Sequence, residues 1–240
     1  MATITETTTA TPAAAGMSGL MSGLDDCVCL PASWEIYQAL LQERGERSRP
    51  KYTYVDGRLT VVSPGHHHEG IKTLLGGMIE DILIGMDIDF HGSGSTTLLK
   101  SYDTRAGTEG DESYYLRHIK EIEKKKDLVM GEDPAPDLCV EVVYSKAESD
   151  AVEAYRRMGV REVWVWRSGE LGFLVLGAKG AYAASEVSGL LPFVRAEELT
   201  GWLLREDFAS DMERRKAFRA WVSETLGPRR NAAIKPGEKQ

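Results

Sequence analysis

The chain has 240 residues, 42% of them hydrophobic and 28% charged, which is the make-up of a folded protein rather than a disordered one. That length suffices for one substantial domain with tails, or for two small domains. The formal net charge of −8 argues against a general nucleic-acid coat, whose affinity comes from neutralising phosphates, but leaves room for a local basic surface around an acidic site.

Residues 1–28 are rich in Thr, Ala, Ser and Gly and have little to bury, so a disordered tail is expected there. They hold no basic segment followed by an apolar one, so no signal peptide is expected. Cys27 and Cys29, with Cys139, make an odd cysteine count without a repeating framework. That does not read as a secreted disulfide scaffold, and no second cysteine pair completes a metal site.

The expected domain spans residues 29–205. Ser33 stands as the N-cap of a helix carrying Trp34, Ile36, Tyr37, Leu40 and Leu41 at helical spacing. Two strand-like runs, Lys51–Val55 and Leu59–Val62, flank Asp56-Gly57, a strong hairpin signal. A longer helix starts near His67, with Ile71, Leu74, Leu75, Met78, Ile79, Ile82 and Leu83 as its buried face. Short strands are expected at Asp87–Phe90 and Thr96–Lys100, around the turn His91-Gly-Ser-Gly. A polar stretch from Ser101 to Gly110 then leads into a strand over Asp111–Leu116. Residues 117–133, with Lys124-Lys-Lys126 inside, read as an exposed, solvated excursion.

Asp137–Tyr144 is nearly continuous apolar strand, as in a central strand buried on both faces. A helix over Ala147–Met158 ends at Gly159, suited to a left-handed C′ position. Strands follow at Val160–Trp166, Leu171–Leu176 and Ala181–Glu186. Residues 196–226 are helical and amphipathic, and residues 206–240 form a C-terminal helix with a basic tail. Interleaved strands and helices call for an α/β fold: a mixed central sheet flanked by helices. No apolar run approaches the roughly 20 residues that span a bilayer, so no membrane association is expected and a cytoplasmic location follows.

The chemistry is carried by carboxylates. Glu141 interrupts an otherwise apolar strand, and an ionised carboxylate placed there needs a cation, a hydrogen-bonding network or a raised pKa. Asp111 heads another strand. Two such acids on neighbouring strands suit a hard divalent ion with oxygen ligands and waters, which would activate water and stabilise charge on a phosphodiester. An ion pair between Glu141 and an arginine or lysine explains the pattern equally well. His66, His67 and His68 invite a metal reading, but consecutive helix side chains diverge and cannot chelate one ion together. Tyr155, Trp164 and Trp166 read as packing residues. Gly92 and Gly94 lack the following helix that a phosphate loop requires.

Six stretches in chain order carry a family resemblance. They are Leu30-Pro-Ala-Ser-Trp-Glu-Ile-Tyr37, Ser63-Pro64 with His68-Glu69, Gly94-Ser-Thr-Thr-Leu98, Gly110-Asp-Glu-Ser-Tyr-Tyr115, Pro136-Asp-Leu-Cys-Val-Glu-Val-Val143, and Tyr155-Arg-Arg-Met-Gly-Val160 with Glu162-Val-Trp164. Together they resemble the bacterial putative restriction endonuclease domain family, abundant in cyanobacteria, of the PD-(D/E)XK nuclease superfamily. The resemblance covers residues 30–205 and implies a restriction endonuclease-like fold.

It also implies roles. Asp111 looks like the first metal-binding aspartate, with Gly110 where a proline is usual. Glu141 looks like the acidic member of the (D/E)XK motif, and the Val142 carbonyl like a further ligand. Asp137 matches the family's second Pro-Asp, Glu69 a first-helix acid, and His68 a family position at the edge of the site. The strand position for the superfamily lysine is Val143, and the helix position to which this family moves it is Ala151. Alanine can neither orient water nor offset charge, so Lys146, just after the strand, is the candidate replacement.

The resemblance thus implies a Mg²⁺- or Mn²⁺-dependent endonuclease acting on DNA, with catalytic residues Asp111, Glu141 and Lys146 and metal ligands Asp111, Glu141 and Val142. A homodimer is expected, since two symmetric sites cut both strands of a duplex most easily. The competing reading is a nuclease-fold module that has lost turnover and binds nucleic acid or protein. Ala151 and the acidic balance favour the module; both carboxylates favour the enzyme. A small-molecule enzyme on an unrelated sheet has no phosphate loop or nucleophile motif to support it.

Overall fold

Strand alternation and helical periodicity resolve into two sheets in the computed structural model, which describes residues 26–45, 47, 49–99, 105–126, 128, 131–143 and 148–233. The first strand, β1 (Asp26–Pro31), starts ahead of the expected domain boundary and pairs antiparallel with β3 (Arg58–Ser63). Between them lie α1 (Trp34–Arg44) and β2 (Lys51–Val55). Ser33 caps α1 as its sequence position suggests: its backbone is extended and its Oγ accepts from the Ile36 N–H at 3.3 Å. Asp56-Gly57 turns β2 into β3, with Asp56 at φ 46° and Gly57 at φ 86°, the left-handed geometry a two-residue hairpin demands.

Helix α2 (His66–Gly85) buries Leu75, Met78, Ile79, Ile82 and Leu83 completely. Ile71 and Leu74, at its N-terminal end, are partly buried against the same core. The chain then departs from the expected hairpin. Asp87–Phe90 is not a strand; β4 is His91–Gly92 and β5 is Thr97–Leu99. These two strands do not pair with each other, because β4 joins β7 (Glu112–Tyr115) while β5 joins β6 (Ala106–Glu109). The polar appearance of residues 105–110 hides β6, every residue of which is buried. Its polar side chains are matched: Thr108 hydrogen-bonds Thr53 at 2.7 Å, and Glu109 pairs with Arg44.

The first sheet runs β1-β3-β2-β6-β5 and is antiparallel throughout. The second runs β11-β10-β9-β8-β7-β4. Its centre is β8 (Leu138–Val143), parallel to β9 (Glu162–Arg167) and antiparallel to β7. A short helix, α3 (Ile119–Ile122), anchors the charged excursion by burying Ile122. The parallel crossover is α4 (Glu148–Met158), ended by Gly159 at φ 82°, a left-handed position glycine adopts without strain. Strands β10 (Glu170–Leu176) and β11 (Tyr182–Ser185) complete the sheet.

The expected mixed sheet flanked by helices is present, with a second, antiparallel sheet beside it. Helix α4 packs between them, contacting β2 and β6. On the other face of the mixed sheet lie α2, α5 (Ala196–Leu203) and α6 (Asp211–Trp221). Helix α6 continues through a π-helical turn (Val222–Leu226) into α7 (Gly227–Ala233). The largest core cluster joins this helical layer to Val140, Val142, Trp164 and Phe173 of the sheet. Among the described residues, no helix is long and apolar enough to cross a membrane.

Candidate active site

The chain crosses from one sheet to the other at Gly110-Asp111, between β6 and β7. Asp111 therefore sits where the two sheets meet, 1% exposed, and both of its carboxylate oxygens have partners. Oδ2 accepts the Val142 N–H at 2.7 Å, and Oδ1 contacts His68 Nε2 at 2.7 Å. The Lys51 ammonium forms an ion pair with the same Oδ1 and donates to the Gly110 carbonyl at 3.3 Å. Elements distant in sequence thus supply one constellation: β2 gives Lys51, α2 gives His68, and β8 gives Val142 and Glu141.

Glu141 is the one residue of β8 that is only partly buried. Its side chain shares a strand face with Cys139 and Val143, toward α4. There the Tyr155 hydroxyl donates to Glu141 Oε1. Gly110 makes that approach possible, because a Cβ at position 110 would lie 2.7 Å from the Tyr155 oxygen. The absence of the usual proline before Asp111 thus has a local packing consequence.

Electrostatics divide the two acids. Burial would raise Asp111, but the Lys51 ammonium and the His68 contact outweigh it and bring the carboxyl down to about 2. Burial and the neighbouring Asp111 charge push Glu141 up to about 8, against the pull of Lys51, Tyr155 and His68. Burial lowers Lys51, but the Asp111 and Glu141 charges more than compensate and hold its ammonium above the ordinary lysine value. Of the two, Glu141 is therefore the acid that favours its protonated form, while Asp111 stays ionised.

The donor chemistry fits a hard divalent ion. Asp111 and Glu141 offer carboxylate oxygens. The Val142 carbonyl lies on the same strand edge as the N–H that meets Asp111, since both groups of a strand residue point the same way. Among the described residues, no group of three or more His, Cys, Asp or Glu is placed to hold a metal. That is compatible with Mg²⁺, which typically takes one or two carboxylates and keeps several waters.

Other sequence candidates fall elsewhere. Asp137 is 1% exposed but lies at the opposite end of β7, accepting the Leu116 and Arg117 N–H groups at 2.9 Å each. It fastens a strand end and does not face the carboxylate pair. Glu69 lies toward the rim, paired with Arg49 at 3.0 Å and 3.7 Å from Lys72. Lys72 also reaches Ser95 at 2.9 Å, whose hydroxyl donates to the Asp111 carbonyl. Ala151 is buried among Val143, Ala154 and Tyr155. Lys146 lies outside the described residues. His68, expected at the site edge, touches Asp111 directly. Tyr155 is the fully buried packing residue expected, and it also holds Glu141. Lys51 has no motif to announce it, since a lysine at the start of a strand is ordinarily a surface residue.

The chain is thus an α/β protein with an acid pair, Asp111 buried and Glu141 partly so, where its mixed sheet meets an antiparallel one. Residues 34–206 match the Uma2 family model, described as "Putative restriction endonuclease". The match covers well over half of the chain, and the chain belongs to this family. A solved structure described as a putative nuclease belonging to DUF820, from Anabaena variabilis ATCC 29413, superposes with a TM-score of 0.49 at 13% identity. The superposition covers 68% of this chain and 97% of that one. No curated protein matches the chain.

Proposed function

We propose that this protein is a divalent-metal-dependent endonuclease that hydrolyses DNA phosphodiester bonds at the Asp111–Glu141 site. The observation that carries the reading is the placement of this pair at the junction of the two sheets, where Asp111 accepts the Val142 N–H and Glu141 is the adjacent residue of the same strand. Asp111, Glu141 and the Val142 carbonyl would hold Mg²⁺ or Mn²⁺. A bound ion supplies Lewis acidity toward water and toward a phosphodiester oxygen.

The protein's own groups prepare the site. The Val142 N–H and His68 fix the orientation of Asp111, and Tyr155 fixes Glu141 from the α4 side. Groups oriented before substrate arrives need no reorganisation during reaction. In the hydrolysis, water forms one new P–O bond and gives up a proton to solvent, and the P–O bond to the leaving oxygen breaks. That oxygen takes up a proton from solvent, leaving a phosphomonoester and a hydroxyl. Arg49 and Lys72 stand at the rim, both paired with Glu69, and a DNA phosphate would have to compete with that carboxylate for them. Pairing of two copies would place two sites on a duplex.

Ala151 supports a second reading, a nuclease fold that binds without turnover, because that helix position offers no cation. Incubation of supercoiled plasmid with wild-type protein and Glu141→Gln, each with and without Mg²⁺, separates the two. Mg²⁺-dependent nicking by the wild type alone supports the enzyme. Plasmid binding without nicking by either protein overturns it in favour of the module.

A further inference from the structure

Lys51 opens β2, yet its side chain turns inward and the residue is only 9% exposed. Its ammonium pairs with Asp111 Oδ1 and lies 3.3 Å from the Gly110 carbonyl. Both site acids bear on it, Asp111 by contact and Glu141 through its charge. Burying a lysine carries a large desolvation cost, and Asp111 does not lack partners without it, since the Val142 N–H and His68 each lie at 2.7 Å. A purely structural ion pair is therefore a weak account of a cation in this place.

The expected lysine position on α4 explains what such a cation would do. Ala151 lies one turn before Tyr155 on the same helix face, and Tyr155 puts its hydroxyl on Glu141. Helix α4 packs directly against β2. Positions 51 and 151 thus approach the same carboxylate pair from two adjoining elements, and only position 51 carries a cation.

We propose that Lys51 is the lysine of this active site, supplied from β2 in place of the one that Ala151 cannot provide from α4. Its ammonium orients the attacking water and offsets the negative charge that gathers on the phosphodiester as one P–O bond forms and the other breaks. Lys51 keeps its proton throughout, since the leaving oxygen is protonated by solvent. This assignment rests on the nuclease reading above.

The test compares the full-length wild type, Lys51→Met, Lys51→Arg and Lys51→Met/Ala151→Lys. Mg²⁺-dependent cleavage is measured as kcat and KM, and Mn²⁺ binding by calorimetry. Lys51→Met is expected to lose about 100-fold in kcat, the scale of one lost charge-stabilising group. Its KM for DNA should be unchanged and its Mn²⁺ affinity undiminished. Returning the lysine on α4 in the double variant should recover at least tenfold of the loss, which a merely structural ion pair would not allow.

Cleavage by Lys51→Met within threefold of wild type overturns the proposal. So does loss of its Mn²⁺ binding, since Lys51 would then serve only to build the carboxylate pair. If Lys51→Met shows no cooperative thermal transition, Lys51→Arg decides, because it keeps the buried charge but not the compact ammonium. A kcat at least tenfold down supports the proposal, and a wild-type kcat overturns it. A wild type that neither cleaves nor binds Mn²⁺ sinks the nuclease reading itself, an outcome distinct from any failure of Lys51.

Discussion

Asp111 and Asp137 stand at opposite ends of the β7–β8 pair, each 1% exposed. Asp137 spends its Oδ2 on two backbone N–H groups at the end of β7, with Arg161 at 3.6 Å on the other oxygen. Asp111 instead gathers a lysine and a histidine besides a backbone N–H, and has a second acid for a neighbour. Equal burial therefore says little about role. Asp137 closes a strand, whereas Asp111 sits in a cluster of ionisable side chains drawn from several elements.

The largest effect that could break this contrast is on activity. Asp111→Ala is expected to abolish Mg²⁺-dependent plasmid nicking, a loss of about a thousandfold or more on the scale of essential charge-stabilising groups. Asp137→Ala should nick at the wild-type rate once compared at equal folded fraction. Equal losses in both variants would erase the distinction.

Stability gives the next largest effect. Removing Asp111 leaves the Lys51 ammonium buried without its acid, for a cost of about 3–5 kcal/mol. Asp137→Ala strands backbone N–H groups that water partly reaches and should cost about 1–3 kcal/mol. Urea denaturation of both variants checks the order. A larger loss for Asp137 would mean that the Asp111 cluster contributes little to the fold.

A smaller effect sharpens the account of Gly110. Its missing Cβ lets the Tyr155 hydroxyl reach Glu141, so Gly110→Ala should cost about 1–3 kcal/mol as overpacking. Tyr155→Phe/Gly110→Ala should lose less than the single glycine variant, since removing the hydroxyl relieves the clash; equal loss would contradict the packing argument. Smallest, and remote from either acid, Ser33→Ala should cost about 1 kcal/mol by removing the α1 cap. It should leave nicking unchanged.

Local signals were legible in the sequence where local physics decides. The Ser33 cap, the Asp56-Gly57 hairpin, the apolar face of α2 and the Gly159 stop all appear where their residue types require. The α/β class and the central β8–α4–β9 unit followed from the same periodicities. The full antiparallel sheet did not, because β5 and β6 are short and the place of β6 is set by β2, distant in the chain. In particular, β6 reads as polar coil until β2 and β5 enclose it.

The site shows the same division. Glu141 betrays itself as a charge inside an apolar run, and Asp111 by resemblance. Pro136-Asp137 carries the more conventional motif, yet its aspartate faces the other strand end. Lys51 left no trace in the sequence, since only the junction of the two sheets turns a strand-initial lysine into a buried partner of Asp111.

The central claim is that Asp111 and Glu141 together take up a divalent ion. Calorimetric titration of the wild type and Glu141→Gln with Mn²⁺ tests it most directly, with folding of both proteins verified by thermal denaturation. One Mn²⁺ bound per chain by the wild type, with affinity at least tenfold weaker in Glu141→Gln, is the predicted result. No binding by the folded wild type, or identical isotherms for the two proteins, would contradict it.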